Sequence, residues 1–390
     1  MEGRPSAIII EPSVQNQSDV LNYDSITLIA TKRFEANFVK RIFQGNNYRK
    51  AWSTPITVPV GNLAEMKGGL KPLELGGGAQ TASMDLAGEN GVIYTLRSVN
   101  KDPSVLIPKL AKKLNIENIV MDAMSAQHPY GAVLSAALAE EAGILSTQPQ
   151  VYFVPHQLGL DTFNRAMGGR LYLLEYEPEG SGEWLNIENV KEIIDTKDVK
   201  EILEKNTSTS IDEHALVRCR LFDMLVGDWD RHHKQWGWVV VEKNDKTTFI
   251  PLPTDRDNVF YNPKGVLPWL ITRPFSQPQL RPYRKKIRHM KGLVKPFDVE
   301  FLHDIPASVF VEEAKYLQNE LDDEAIDRAM QSWSHEFVKN DGATIKKRIQ
   351  ARRKDLVKYA RKFKEVVDEK WKKEAENQKK GKMTLAKKGT

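Results

Sequence analysis

Residues 226–260, VGDWDRHHKQWGWVVVEKNDKTTFIPLPTDRDNVF, constrain this chain more than any other stretch. An Asp-Arg-His-His run begins at Asp230, and an amide, Gln235, stands at the fifth position after it. A strand–turn–strand pattern follows, then a second acidic cluster, Asp255-Arg256-Asp257-Asn258. Phosphoryl transfer needs this inventory: a carboxylate beside the acceptor hydroxyl, a nearby polar metal ligand, and a later Asp on the ion. That chemistry places and neutralises phosphates rather than bonding them to the protein, so carboxylates and cations matter more than a nucleophile.

At 390 residues and 41% hydrophobic, the chain can bury a sizeable core, and two lobes are the natural expectation. The single cysteine, Cys219, excludes an intrachain disulfide framework and a cysteine-based zinc site, and its apolar helical surroundings mark it as packing. No apolar run approaches the roughly 18 residues of a membrane helix, and the opening MEGRPSAIIIEPSVQNQ lacks a signal-peptide pattern. The chain as written is expected to stay in the cytoplasm, unless it is a piece of something longer.

Charge is uneven. Residues 341–390 hold eighteen Lys/Arg against seven Asp/Glu, so they carry +11 while the whole chain carries +5. Ile345, Ile349, Leu356, Phe363, Val367 and Trp371 recur there at helical spacing, predicting a long basic amphipathic helix, with a disordered end from QKKGKMTLAKKGT. Its basic face is expected to be solvated, with at most weak contact to anionic membranes; no specific nucleic acid is expected.

Four regions follow: a leader and arm over 1–60, a β-rich lobe over 61–180, a helical lobe over 181–340, and the basic helix and tail. The arm carries a strand and a helix with Ile26, Leu28, Phe34, Phe38, Ile42, Phe43, Tyr48 and Trp52 as its apolar residues. A strand at Lys71 to Leu75 leads into a glycine loop, Gly76-Gly77-Gly78-Ala79-Gln80-Thr81-Ala82-Ser83. Strands follow at Met84 to Ala87 and Val92 to Val99, turning at Glu89-Asn90-Gly91. Helices are predicted over 105–126 and 132–142, the second stopped by Gly143. Further strands lie at Val151 to Val154 and Arg170 to Glu175, and Tyr176 to Gly180 reads as an extended connector. Ser210 and Glu213 form a capping box before the helix ALVRCRLFDMLVG, which delivers the acidic loop. The predicted fold is α+β, with two protein-kinase-like lobes: a small β-rich one, then a larger helical one.

Within that order each candidate has a role. Asp230, flanked by Asp228 and His232, is the candidate base, and Asp255, Gln235 and Asp257 are candidate metal ligands. Backbone N–H groups of the glycine loop, chiefly Gly76, Gly77, Gly78, Gln80 and Thr81, would close over phosphates. Arg97, or the more exposed Lys101, would hold those phosphates, with Arg offering a planar fork rather than a point charge. The expected acidic partner of that cation lies on the following helix, with Asp122, Gln127, His128, Glu140 and Glu141 in range. Glu175 and Tyr176, where the strand meets the connector, would face the nucleotide base, the connector offering its N–H and C=O groups. Arg273, Arg281, Arg284, Lys285, Lys286 and Arg288, with Trp269, Phe275 and Tyr283 among them, suit an acidic or phosphorylated partner or a solvated loop. Trp229, Trp236 and Trp238 read as core.

The GDWDRHHKQW stretch resembles the Asp-Arg-His loop of atypical kinases: HipA-type bacterial kinases, phosphatidylinositol kinases and the secretory-pathway kinases. The resemblance implies Asp230 as general base, Gln235 as the catalytic-loop metal ligand and Asp255 as the metal-binding Asp. It also implies Mg²⁺ or Mn²⁺ and ATP or a related nucleotide. Gln stands at 235 in place of Asn or Glu, and Arg256-Asp257 in place of Asn-Gly, so Asp257 could share the role of Asp255. YRKAW, GGLKPLELGGGAQTASMDL, YTLRSVNKDPS, SAQHPYGAVL, GGRLYLLE and LFDMLVGDWDRH resemble a segment of large bacterial envelope proteins. There it joins a calcineurin-like metallophosphatase domain to an outer-membrane assembly-factor-type barrel. That likeness implies a free-standing version or a fragment, and a periplasmic or outer-membrane setting if a fragment. Two functions follow: Mg²⁺- and ATP-dependent transfer to a hydroxyl of a protein or small molecule, or a non-catalytic module that binds a nucleotide or partner. Phosphatase chemistry has no dinuclear His/Asp/Asn ligand set here.

Overall fold

The computed structural model describes residues 7–11, 17–76, 82–100, 121–266 and 280–386. Its first half is built on two antiparallel sheets. A small one runs β1 (Ile8–Ile9), β2 (Ser25–Ile29), β3 (Pro55–Pro59). The larger one comprises β4 (Lys71–Gly76), β5 (Ser83–Ala87), β6 (Ile93–Ser98), β7 (Gln150–Val154) and β8 (Arg170–Tyr176), in the order β4-β5-β6-β8-β7. Met84, Leu86, Leu96, Tyr172 and Leu174 make one face of it apolar, and a separate small core forms there.

Ile26, Leu28, Phe34, Tyr48 and Trp52 join the large core of the second half, so the arm is a fixed part of that body. Helix α1 (Phe38–Gln44) instead buries no residue, and Phe38, Ile42 and Phe43 face solvent. Helix α2 (Arg49–Ser53) follows it, and α3 (Gly131–Glu141) packs on the helical half, where Arg328 pairs with Glu141. Gly143, at φ 61°, follows the end of α3, as its sequence position suggests.

The second half is helical but contains a sheet of its own. β9 (Val190–Asp195), β10 (Thr209–Ile211), β11 (Trp236–Lys243) and β12 (Lys246–Pro253) take the order β10-β12-β11-β9, with β10 parallel to β12. Asn244 and Asp245, both at positive φ, make the two-residue turn between β11 and β12. Helix α4 (Thr196–Lys205) precedes β10, and α5 (Glu213–Val226) follows it. The expected Ser210 cap is not the one formed. Ser210 pairs with Thr248 in the sheet, and Asp212 caps α5 by accepting from Ala215 N.

Helices α6 (Pro296–Leu302), α7 (Ala307–Glu320), α8 (Asp323–Met330), α9 (Ala343–Lys354) and α10 (Leu356–Ala386) complete this half. The basic segment is thus two helices broken at Asp355, and Ile345, Ile349, Leu356, Phe363 and Val367 are fully buried in the core. Trp371, 42% exposed, stacks on His303 at 3.7 Å. Helical backbone reaches Ala386, beyond the predicted onset of disorder, and residues 387–390 lie outside the described residues. Cys219 is buried, its thiol pushed up to about 12 by burial. Among the described residues, no helix is long and apolar enough to cross a membrane.

Candidate active site

The acidic loop starts where α5 stops. Gly227 sits in the left-handed region at φ 80°, and a Cβ there would meet Tyr283 Cδ2 at 2.5 Å, so the turn and the close approach both require glycine. One turn earlier, Asp223 is wholly buried and faces three guanidinium groups. Arg231 Nε lies 3.0 Å away, Arg220 NH1 2.8 Å and Arg256 Nε 3.2 Å. Burial alone would raise the Asp223 carboxyl, but Arg231, Arg256 and Arg220 outweigh it and hold it below the usual range.

Arg231 ties the loop to its partner segment. Besides Asp223, it donates to Asp228 Oδ2 at 2.6 Å, Gln235 O at 3.1 Å and Thr254 O at 2.5 Å. The carbonyls of Gln235 and Thr254 flank the two candidate ligand positions, so one buried cation fixes both. Asp228 is held inside the loop by Arg231. Its carboxylate is buried, accepts from Asp230 N at 3.2 Å, and is pushed up by burial against the pull of Arg231.

Asp230, by contrast, is 35% exposed, with Lys295 Nζ 3.8 Å from Oδ1. Lys295 also lies 5.7 Å over the ring of Trp229, which is half-buried where core was expected; Trp236 and Trp238 are buried as predicted. Gln235 Nε2 lies 3.4 Å from Asp255 Oδ2, and its carbonyl oxygen accepts from His232 N at 3.2 Å. Asp255 takes φ 53°, a left-handed conformation uncommon for a residue with a side chain. Burial lowers the His232 imidazole, while Asp230 and Asp255 both pull it the other way.

The sheet forms the opposite wall. Thr95 pairs with Glu175 across β6 and β8, which sets Arg97 diagonal to Glu175 on the same face. Arg97 Nε lies 2.8 Å from Glu175 Oε1, and NH1 reaches across to Asp255 Oδ1 at 3.7 Å. The acidic partner of the strand cation thus comes from β8, not from the following helix. Of the residues expected there, Asp122 binds Arg49 and Lys40, Gln127 donates to Asn258, and His128 stacks on Trp333. The Thr95 hydroxyl sits between two carboxylates, Asp85 at 2.7 Å and Glu177 closer still. One hydroxyl proton serves one of them only, and burial pushes Glu177 up to about 7.

Between the walls lies a cleft lined among others by Arg97, Glu175, Asp255, Asp257, Gln127 and Ala136. Glu175 reaches it as the anchor of Arg97, steadied by Thr147 Oγ1 at 2.5 Å. Tyr176 does not offer its N–H there: that group donates to Thr147 O, Glu177 N donates to Ile93 O, and the Tyr176 ring stacks on Trp184. Gly76 pairs with Ser83 at the mouth of the glycine loop, while Gly77, Gly78, Gln80 and Thr81 lie outside the described residues, as do Lys101, Trp269, Arg273 and Phe275. Tyr283, expected at a partner surface, is buried and donates to Leu225 O.

Magnesium is commonly held by one or two carboxylates plus substrate phosphates, without an all-protein cage. Asp255 and Asp257 at one cleft edge suit that mode, and among the described residues no three acidic, His or Cys side chains form a cage. No family model and no curated protein matches the chain. Among solved structures, it aligns with a Helicobacter pylori proinflammatory kinase, CtkA, at 11% identity and TM-score 0.38, over 77% of this chain and 94% of that one. A chain from the HipA, HipB and operator DNA complex of Shewanella oneidensis MR-1 aligns at 12% identity and TM-score 0.35, over 80% and 77% respectively. Overlaps this loose carry no chemistry.

Proposed function

We propose that the cleft performs metal-dependent phosphoryl transfer from an ATP-type nucleotide to a hydroxyl group, in a kinase-like arrangement. The observation that carries this reading is the meeting of Arg97, Asp255 and Gln235 across the cleft, with Asp230 on the same loop. Asp255 and Asp257 would hold a Mg²⁺ or Mn²⁺ ion, which neutralises phosphate charge when bound. Gln235 joins them if its amide turns its oxygen toward Asp255, releasing His232 N. Arg97 orients the phosphates; Asp230, exposed beside Lys295, accepts the proton of the acceptor hydroxyl. Arg231 keeps the two loops in register throughout.

Asp230→Asn tests the division of labour: it should bind the Mg²⁺ nucleotide as the wild type does yet transfer no phosphoryl group, because a base acts mainly in the transition state. Transfer at the wild-type rate would remove Asp230 from the mechanism. A second reading, a nucleotide- or partner-binding module without transfer, draws support from the engaged N–H groups of Tyr176 and Glu177 and from the occupied Gln235 oxygen. It predicts Mg²⁺-dependent binding with no product from any hydroxyl acceptor, in the wild type as in Asp230→Asn.

A further inference from the structure

Arg256 lacks what the other two arginines around Asp223 have. Arg220 has a second anchor in Asp298, and Arg231 has Asp228 and two carbonyls. Arg256 engages Asp223 through Nε alone, with its guanidinium 4.8 Å over the Phe222 ring. Both terminal nitrogens, NH1 and NH2, are buried without an acceptor, on a side chain only 6% exposed. Unmade hydrogen bonds on a buried cation are costly, and native structures keep such a group where something else meets it.

Arg256 lines the cleft together with Arg97, Gln127 and His128. Helix α3 opposes it with Ala132 and Ala136, which leave room and bring no carboxylate. Glu175, Asp255 and Asp257 line the same cleft, but none of them accepts a hydrogen bond from the terminal nitrogens of Arg256. We propose that Arg256 is an oxyanion receptor, its two terminal nitrogens taking two oxygens of a phosphoryl group that enters the cleft. The planar fork suits that bidentate geometry. Neither nitrogen reaches bulk solvent, so capture turns the guanidinium toward the cleft and releases the Nε contact. Asp223 stays paired with Arg220 and Arg231 when it does. The inference does not rest on transfer taking place, only on a phosphoryl group reaching the cleft.

Inorganic phosphate and the phosphates of a nucleotide share this chemistry, and two probes separate them. Thermal unfolding of the full chain is followed with inorganic phosphate against chloride at equal ionic strength, and again with ATP and Mg²⁺ against Mg²⁺ alone. The wild type should be stabilised by phosphate, by ATP or by both; phosphate alone assigns a free-anion site, and ATP alone assigns a phosphate of the nucleotide. Arg256→Met should melt no lower than the wild type without anion and bind the effective probe about tenfold or more weakly. Arg256→Lys keeps the charge without the fork; should Arg256→Met fail to fold, this variant is expected to bind several-fold more weakly. Equal stabilisation of wild type and variants, which leaves water as the partner of Arg256, overturns the proposal. So does a wild type that neither probe stabilises.

Discussion

The two walls of the cleft handle charge in opposite ways. Below, Asp223, Asp228 and Asp298 are buried against Arg220, Arg231 and Arg256, acids and bases equal in number, with only the two terminal nitrogens of Arg256 left without an acceptor among these six. Above, among the described residues, Asp85, Glu175 and Glu177 gather around Arg97, and Asp255 adds a further carboxylate from across the cleft. The balanced wall fixes geometry. The acidic wall holds charge that a cation or a shared proton relieves, as at Glu177.

Four substitutions can break or sharpen that contrast. The largest effect belongs to Asp223→Ala, which strands three guanidinium groups in the interior. Urea unfolding should show a loss of about 3–5 kcal/mol, the cost of breaking a buried pair by removing one partner. A loss below about 1 kcal/mol would mean the lower wall is no more than a set of surface-like pairs. Arg97→Met should cost less, roughly 1–3 kcal/mol, because Glu175 keeps Thr147 as a donor while losing its cation. It should also raise the Glu177 carboxyl further, since Arg97 pulls that group down.

Glu177→Gln tests the shared proton through pH. The Glu177 carboxyl is held at about 7, above its ordinary 4.5. Its protonated form therefore favours the fold; that contribution is complete below about pH 4.5 and is lost as pH rises through 7. Gln mimics the protonated acid at every pH. The variant should match the wild type near pH 5 and exceed it by about 1–3 kcal/mol near pH 8, measured by urea midpoints. A difference that does not change with pH would contradict the shared proton. The smallest effect is expected of Asp255→Gly, which relaxes the left-handed backbone at that position. Stability should hold or rise by up to about 1 kcal/mol, and a clear loss would assign Asp255 a structural role.

How much of this was legible in the sequence differs between the walls. Asp230, Gln235 and Asp255 lie within one hairpin and its flanks, so spacing alone brought them forward. The strand, turn and strand between them were legible for the same local reason. Glu175 as the partner of Arg97 was not, because β6 and β8 meet only after a long insertion that carries α3 and β7. Lys295 is likewise far from Asp230 along the chain, and no pattern links them. Asp223 passed unnoticed inside an apolar helix, although a lone acid among buried positions of α5 was the available signal. The Ser210 box failed through competition: a short strand took Ser210, and Asp212 was free to cap. Phe38, Ile42 and Phe43 had helical spacing, but the arm packs through its strands and α2 instead.

Calorimetric titration of the wild type and Asp255→Ala with ATP, in Mg²⁺ and in its absence, tests the central claim most directly. The account predicts binding to the wild type that requires Mg²⁺ and is lost in Asp255→Ala, with the variant still folded. Equal affinity of the two proteins in Mg²⁺, or no binding to the wild type under either condition, would contradict it.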